Sequence, residues 1–285
     1  MNSSGIYVTY SGPKKFPAHK ELYERKRNTT KRLPLTEDTT KLVKFLKARI
    51  EDNRKQLANA HNDTSCIWRI VAECTLAYLI VFNRRRQGEV SKMKIVDFVK
   101  AKRGSSNAEI ESCLSKMERE LCQLFYRVEI RGKRGRTVPL FMDEEMFHTI
   151  TTLNLRRAEA GVSGENLYVF AYNKHSSASH IRGSDCLRKF AIECGATHPE
   201  TLRSTSFRKH VATTSQLLSL KDNELDMLAQ FMGHDIRTHR EYYRLPEDTL
   251  QLAKLSKLFL LMEQGSVKKF SGQTLDNVLL GVEAG

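Results

Sequence analysis

Two adjacent tyrosines, Tyr242 and Tyr243, stand in a knot of positive charge. The stretch FMGHDIRTHREYYR (231–244) sets them among Arg237, His239, Arg240 and Arg244, and Tyr243 lies nine residues beyond the histidine of a Gly233-His234 pair. A phenol with a pKa of about 10 is a poor nucleophile at neutral pH, and positive surroundings help it lose its proton. Three other segments carry cations. Arg86-Gln87-Gly88-Glu89 follows the most apolar stretch of the chain, Gly132-Lys133 sits in a basic turn, and Phe207-Arg208-Lys209-His210-Val211-Ala212-Thr213 opens a helical pattern. Guanidinium forks match phosphate oxygens and stay charged, so two arginines make a natural clamp for a phosphoryl group.

Each fragment also has a plainer reading. Arg84, Arg85 and Arg86 fit a solvated patch, the first two more readily than the third. His234 could merely follow a helix-ending glycine. Lys133 is one cation among Arg131, Arg134 and Arg136 in the same turn. Glu89 is more naturally structural than chemical, Tyr242 is expected to pack, and His210 and His239 are expected as surface or core residues. Neighbours on a helix point about 100° apart, so only one of the two tyrosines can face a shared target.

The elements that must position these groups are mostly helical. LPLTEDTTKLVKFLKARIEDN predicts a helix with Thr36 as N-cap and a stripe of Leu42, Val43, Phe45, Leu46 and Ile50. Residues 68–82 are apolar nearly all round and therefore central. Over 124–141 the period changes to two: Tyr126, Val128 and Ile130 alternate with Arg127, Glu129 and Arg131, and Val138 and Leu140 continue after a Gly132–Gly135 turn, which predicts a hairpin. Helical patterns resume near Asp143–Ala158, Gly183–Cys194, Phe207–Leu218, Asp222–Met232 and Pro246–Gln264. The expected fold class is mainly α with a small antiparallel β-sheet (α+β). Residues 1–33, with eight Lys/Arg against two Glu, read as a loose basic arm, 34–264 as one domain, and 265–285 as a tail able to dock on a neighbour.

Composition points to a polyanionic partner: 47 Lys+Arg against 33 Asp+Glu give +14 and a pI near 9.5. The longest apolar run, Cys74 to Phe82, is too short to span a bilayer, so no membrane is expected. No secretory signal opens the chain, and the six cysteines lack C-x-x-C spacing; they read as reduced, buried thiols of an intracellular protein.

In this order the four segments resemble the catalytic domain of the tyrosine recombinase (phage integrase) family, whose pattern is R-x-x-E, a hairpin lysine, H-x-x-R before a small-residue helix, then G-H and a tyrosine about nine positions on. The resemblance spans roughly residues 34–264 and is closest to recombinase-like proteins of animal mobile elements such as Cryptons and their domesticated descendants. It implies the recombinase fold and DNA strand cleavage and rejoining through a 3′-phosphotyrosyl intermediate. By the resemblance Tyr243 is the nucleophile, Arg86 and Arg208 clamp the phosphate, Lys133 protonates the leaving oxygen, His234 donates to the phosphate or assists the tyrosine, and Glu89 holds Arg86. It implies double-stranded DNA as partner, contacted by Lys14, Lys15, Arg25, Lys26 and Arg27 of the arm and by Arg134 and Arg136, with a tetramer on DNA, a nuclear location, and neither cofactor nor metal. Two departures stand out. Thr205 occupies the position of the family's histidine, and it can donate one hydrogen bond but cannot shuttle a proton; Arg203 rivals Arg208 as the second clamp. Only the basic arm precedes the catalytic region, where the family carries a core-binding domain, so a weaker DNA grip or a partner is expected. A catalytically silent DNA-binding or interaction protein that kept the fold is the alternative.

Overall fold

The computed structural model describes residues 33–59, 64–104, 108–217 and 222–233, with single helical positions at 256, 259, 260 and 262. The basic arm, the C-terminal tail and the segment holding His234, Tyr242 and Tyr243 lie outside them.

Helix α1 (Thr36–Asn59) buries Leu42, Leu46, Ile50 and Leu57 along one stripe. It runs six residues past Asn53, and Thr36 is its first helical residue, not its cap. The first intrahelical bond goes from the Thr39 N–H to the Leu35 carbonyl at 3.0 Å. The acids of its first turn meet the positive end of the helix, and one of them, the buried Asp38, is committed elsewhere. Its carboxylate accepts from the Thr197 and His198 N–H groups at 2.8 and 2.9 Å, tying the helix start to a distant loop.

Helix α2 (Thr64–Asn83) is the axis of the molecule. By length and hydropathy it could cross a membrane, a longer apolar element than the run Cys74–Phe82 suggested; here most of it is covered by protein. It packs against α1, the short α3 (Gln87–Ser91), α7 (Glu144–Leu155), α8 (Gly183–Glu193) and α9 (Ser204–Leu217). Trp68 near its start is buried and donates its indole N–H to the Leu153 carbonyl of α7 at 2.8 Å.

After α4 (Ile95–Phe98), the expected hairpin forms with one strand more than the sequence predicts. β1 (Lys102–Arg103), β2 (Phe125–Arg131) and β3 (Thr137–Asp143) make an antiparallel sheet in that order, with Val128 opposite Leu140 and Ile130 opposite Val138. Val128, Ile130, Val138, Leu140 and Met142 face the core, as alternation dictates. Between β1 and β2 the chain detours through α5 (Ala108–Cys113) and α6 (Lys116–Leu124), the latter started by a Ser115–Glu118 capping box. The fold is mainly helical with a small antiparallel sheet. All six cysteines are free, but only Cys74 and Cys186 are buried; Cys66 and Cys113 are exposed because they fall on the outer sides of the α2 start and of α5.

Candidate active site

The site begins where α2 stops. Arg84 takes φ +52°, the left-handed conformation that normally calls for glycine. The Arg84 N–H reaches back to the Val81 carbonyl (3.4 Å) and the Arg85 N–H to Ile80 (3.3 Å), the paired bonds of a Schellman cap. This cap turns the chain sharply enough to aim three consecutive arginines in three directions.

None of the three is a freely solvated side chain. The Arg84 guanidinium lies 4.8 Å from the Phe207 ring of α9. Arg85 is fully buried: its Nε and Nη2 donate to the Pro139 carbonyl at 3.2 and 2.7 Å, and its flat face rests 4.3 Å from the Phe231 ring at the end of α10 (Asp222–Phe231). The solvated-patch reading therefore fails for Arg84 and Arg85, because aromatic faces supplied from far along the chain cover them. Burial pushes the Arg85 guanidinium down to about 9; Arg208 and Arg86 push the same way, and Glu89 opposes them. Burial likewise lowers Arg84.

The corner also closes the sheet. β3 is an edge strand, and residues 139 and 141 turn their backbone groups outward. Asn83 answers with both halves of its amide: Oδ1 accepts the Phe141 N–H at 2.7 Å and Nδ2 donates to the Phe141 carbonyl at 2.9 Å. Arg85 takes the Pro139 carbonyl. Proline is tolerated at 139 because its missing N–H would face this open edge. The end of α2 thus stands in for a fourth strand.

Arg86 is left to point into a cleft of about 470 Å³. Its Nη1 donates to Glu89 Oε1 at 3.1 Å, one turn on along α3, and the same oxygen accepts the Lys133 N–H at 3.3 Å. One buried carboxylate therefore joins the end of α2 to the hairpin turn. Gly132 makes that approach possible: a Cβ there would fall 2.4 Å from Val138 Cγ2. α3 is itself pinned to α8, since Ser91 Oγ accepts the Gly183 N–H at 3.0 Å, and a Cβ on Gly183 would meet Ile80 at 2.4 Å.

The opposite wall is α9. Thr205 and Arg208, three residues apart on one helical face, both line the cleft. Arg208 is 1% exposed, and its Nη2 donates to the Met232 carbonyl at 2.9 Å, gripping the turn after α10. Arg203 is exposed and does not line the cleft. Gly233 follows Met232 with φ +69°; a Cβ there would lie 3.6 Å from Arg86 Nη1 and 3.8 Å from Arg85 Nη1.

The structure therefore brings Arg86, Glu89, Lys133, Thr205 and Arg208 together from three separated segments. His234 and Tyr243 fall outside the described residues, as do Lys14, Lys15, Arg25, Lys26, Arg27 and the side chain of Arg134; Arg136 is exposed on the hairpin. Two cationic lining residues went unassigned in the sequence, Lys92 and Arg131. Lys92 stands three positions after Glu89, a spacing that signals a shared face. Five cationic residues (Arg86, Lys92, Arg131, Lys133, Arg208) and one acidic residue, Glu89, line the cleft. Such a cleft suits an anion with several oxygens.

No family model and no curated protein matches the chain. Among solved structures it is similar to the XerH site-specific recombinase bound to palindromic difH substrate in a post-cleavage complex, at 17% identity and a TM-score of 0.48, covering 79% of this chain and 53% of that one. A pre-cleavage complex of XerH with difH gives 18% identity and 0.43, covering 79% and 55%. XerA recombinase gives 16% and 0.41, covering 82% and 64%. The chain thus spans between half and two thirds of the length of these structures, and the likeness at this level is one of shape, not of chemistry.

Proposed function

We propose that the cleft binds a DNA phosphodiester and that the chain cleaves and rejoins DNA strands through a 3′-phosphotyrosyl intermediate. One observation carries this reading: Arg86, Lys133 and Arg208, from three different elements, converge on one cationic cleft. In the proposed step the Tyr243 oxygen attacks the phosphorus and its proton passes to solvent. The bond to the 5′ oxygen breaks, and Lys133 hands that oxygen a proton. Arg86 and Arg208 hold the non-bridging oxygens while charge builds on them, and His234 adds a donor. Glu89 keeps Arg86 aimed and holds the lysine's backbone in place.

Several finer statements belong to the same proposal: descent from a mobile element, work in the nucleus, and assembly on duplex DNA as a tetramer. The basic arm and the exposed Arg136 would grip the backbone outside the cleft. Thr205, exposed on the cleft wall, favours a second reading, in which the same surface binds DNA without cutting it.

Incubation with nicked duplexes, where a short 5′-hydroxyl fragment escapes after cleavage, followed by a denaturing gel tests the proposal. A protein–DNA species that survives denaturation is expected. Salt-sensitive DNA binding with no such species on any duplex would leave the silent DNA-binding protein as the better account.

A further inference from the structure

Arg85 has no part in the proposed chemistry, yet it is the most deeply committed arginine of the site. Its side chain is fully buried, and Nη1 has no hydrogen-bond partner. A buried guanidinium beside two more arginines is a poor way to stabilise a protein. Well-packed apolar replacements of buried ions are often neutral or stabilising. The geometry offers another reason for a cation here. The guanidinium ties the mid-strand Pro139 carbonyl of β3 to the Phe231 ring of α10. Phe231 in turn stacks on Phe141 of the same strand, with centroids 5.0 Å apart and planes 14° apart. The free nitrogen points towards Gly233, 3.8 Å from where a Cβ would stand, and Arg86 Nη1 approaches the same place at 3.6 Å.

We propose that Arg85 is a positioning residue: it locks the end of α10, and with it Gly233, against β3 and Arg86, so that the two sides of the cleft keep a fixed separation. This rests on the reading of the cleft as a phosphate site and deepens it. Arg86 and Arg208 can clamp one phosphate together only if the end of α10, which Arg208 grips through the Met232 carbonyl, stays in register with the end of α2. Arg85 reaches from the end of α2 onto Phe231 at the end of α10. An apolar residue of similar length fills the volume and covers Phe231 but cannot hold the Pro139 carbonyl. A lysine holds that carbonyl with one donor and gives up the flat contact with the ring.

The test compares wild type, Arg85→Met and Arg85→Lys in three measurements: thermal unfolding, binding of inorganic phosphate followed by 31P NMR, and the rate of adduct formation with a nicked duplex. Arg85→Met is expected to melt at or above the wild-type temperature, to bind duplex within about twofold of wild type, and to lose about 100-fold in adduct rate, the cost of a misplacement of about 1 Å. Its phosphate affinity should fall about tenfold, and Arg85→Lys should recover part of both losses. If wild type forms no adduct, strand transfer fails as the function, while the phosphate titration still decides the role of Arg85. Arg85→Met that binds phosphate as wild type does, a loss that merely tracks a lowered melting temperature, or a wild-type chain that binds no phosphate each overturns the positioning role. If Arg85→Met does not fold, Arg85→Lys decides, and wild-type phosphate affinity in that variant overturns it.

Discussion

The chain carries two arginine-rich turns that look alike in sequence and end differently. Arg84-Arg85-Arg86 closes α2, and Arg131, Arg134 and Arg136 surround the hairpin turn. At the first turn a Schellman cap fans the side chains out onto Phe207, Phe231 and Glu89, leaving Arg85 fully buried and Arg84 and Arg86 half-buried. At the second, Arg131 stays exposed where it lines the cleft and Arg136 stays exposed outside it, and the turn is pinned through backbone, Lys133 to Glu89 and Gly132 to the Arg136 carbonyl. Charge density in a sequence therefore does not tell a built site from a solvated one. What decides is whether distant elements supply aromatic faces and carbonyls to receive the cations.

Breaking the built corner at its reactive end should have the largest effect. On the proposed function Arg86→Ala removes a donor to the transition state, so a loss on the order of 10²–10³-fold in adduct formation is expected, with the protein still folded. Single-turnover gels on nicked duplex measure it; a loss of less than about tenfold would return Arg86 to the class of the hairpin arginines.

A smaller but clear effect is expected at the seam between corner and sheet. Asn83→Ala leaves the edge N–H and carbonyl of Phe141 without partners, at a cost of about 1–3 kcal/mol, read by denaturant unfolding. At the hairpin, Arg136→Ala should leave stability within about 0.5 kcal/mol and reduce the slope of log K against log salt for duplex binding by about 1. Equal stability losses at the two sites would erase the distinction drawn here.

The parts of this contrast that could be read from the sequence were those written in local periodicity. The alternation around Val128 and Ile130 announced the hairpin, and the unbroken apolar face of α2 announced the central helix. The family resemblance, not the local pattern, paired Glu89 with Arg86. The rest is long-range. β1 is two exposed basic residues with no pattern of their own. The burial of Arg85 depends on Phe231, far along the chain, and the left-handed Arg84 breaks the rule that would have placed glycine there. Thr36 looked like a cap because of its residue type, but the helix starts on it.

The smallest expected effect lies beside the corner. His210 on α9 is half-buried, and burial, with the nearby Arg84, holds its imidazole below the usual value. The unfolded chain therefore takes up that proton more readily, so this group's contribution to stability is present above about pH 6.5 and is lost as pH falls through the lower folded value. His210→Gln should flatten the fall in melting temperature on the acid side, and an unchanged slope would show that burial and Arg84 do not hold this imidazole down.

The central claim is that the cleft serves one attacking phenol. Tyr243→Phe removes that oxygen and almost no volume, so this variant should fold and bind duplex as wild type does and form no adduct, while Tyr242→Phe retains it. The most direct measurement is mass spectrometry of the peptide trapped with a nicked duplex. A nucleotide joined through its 3′-phosphate to Tyr243, with a 5′-hydroxyl on the released strand, is the predicted result; a nucleotide on Tyr242 would contradict it.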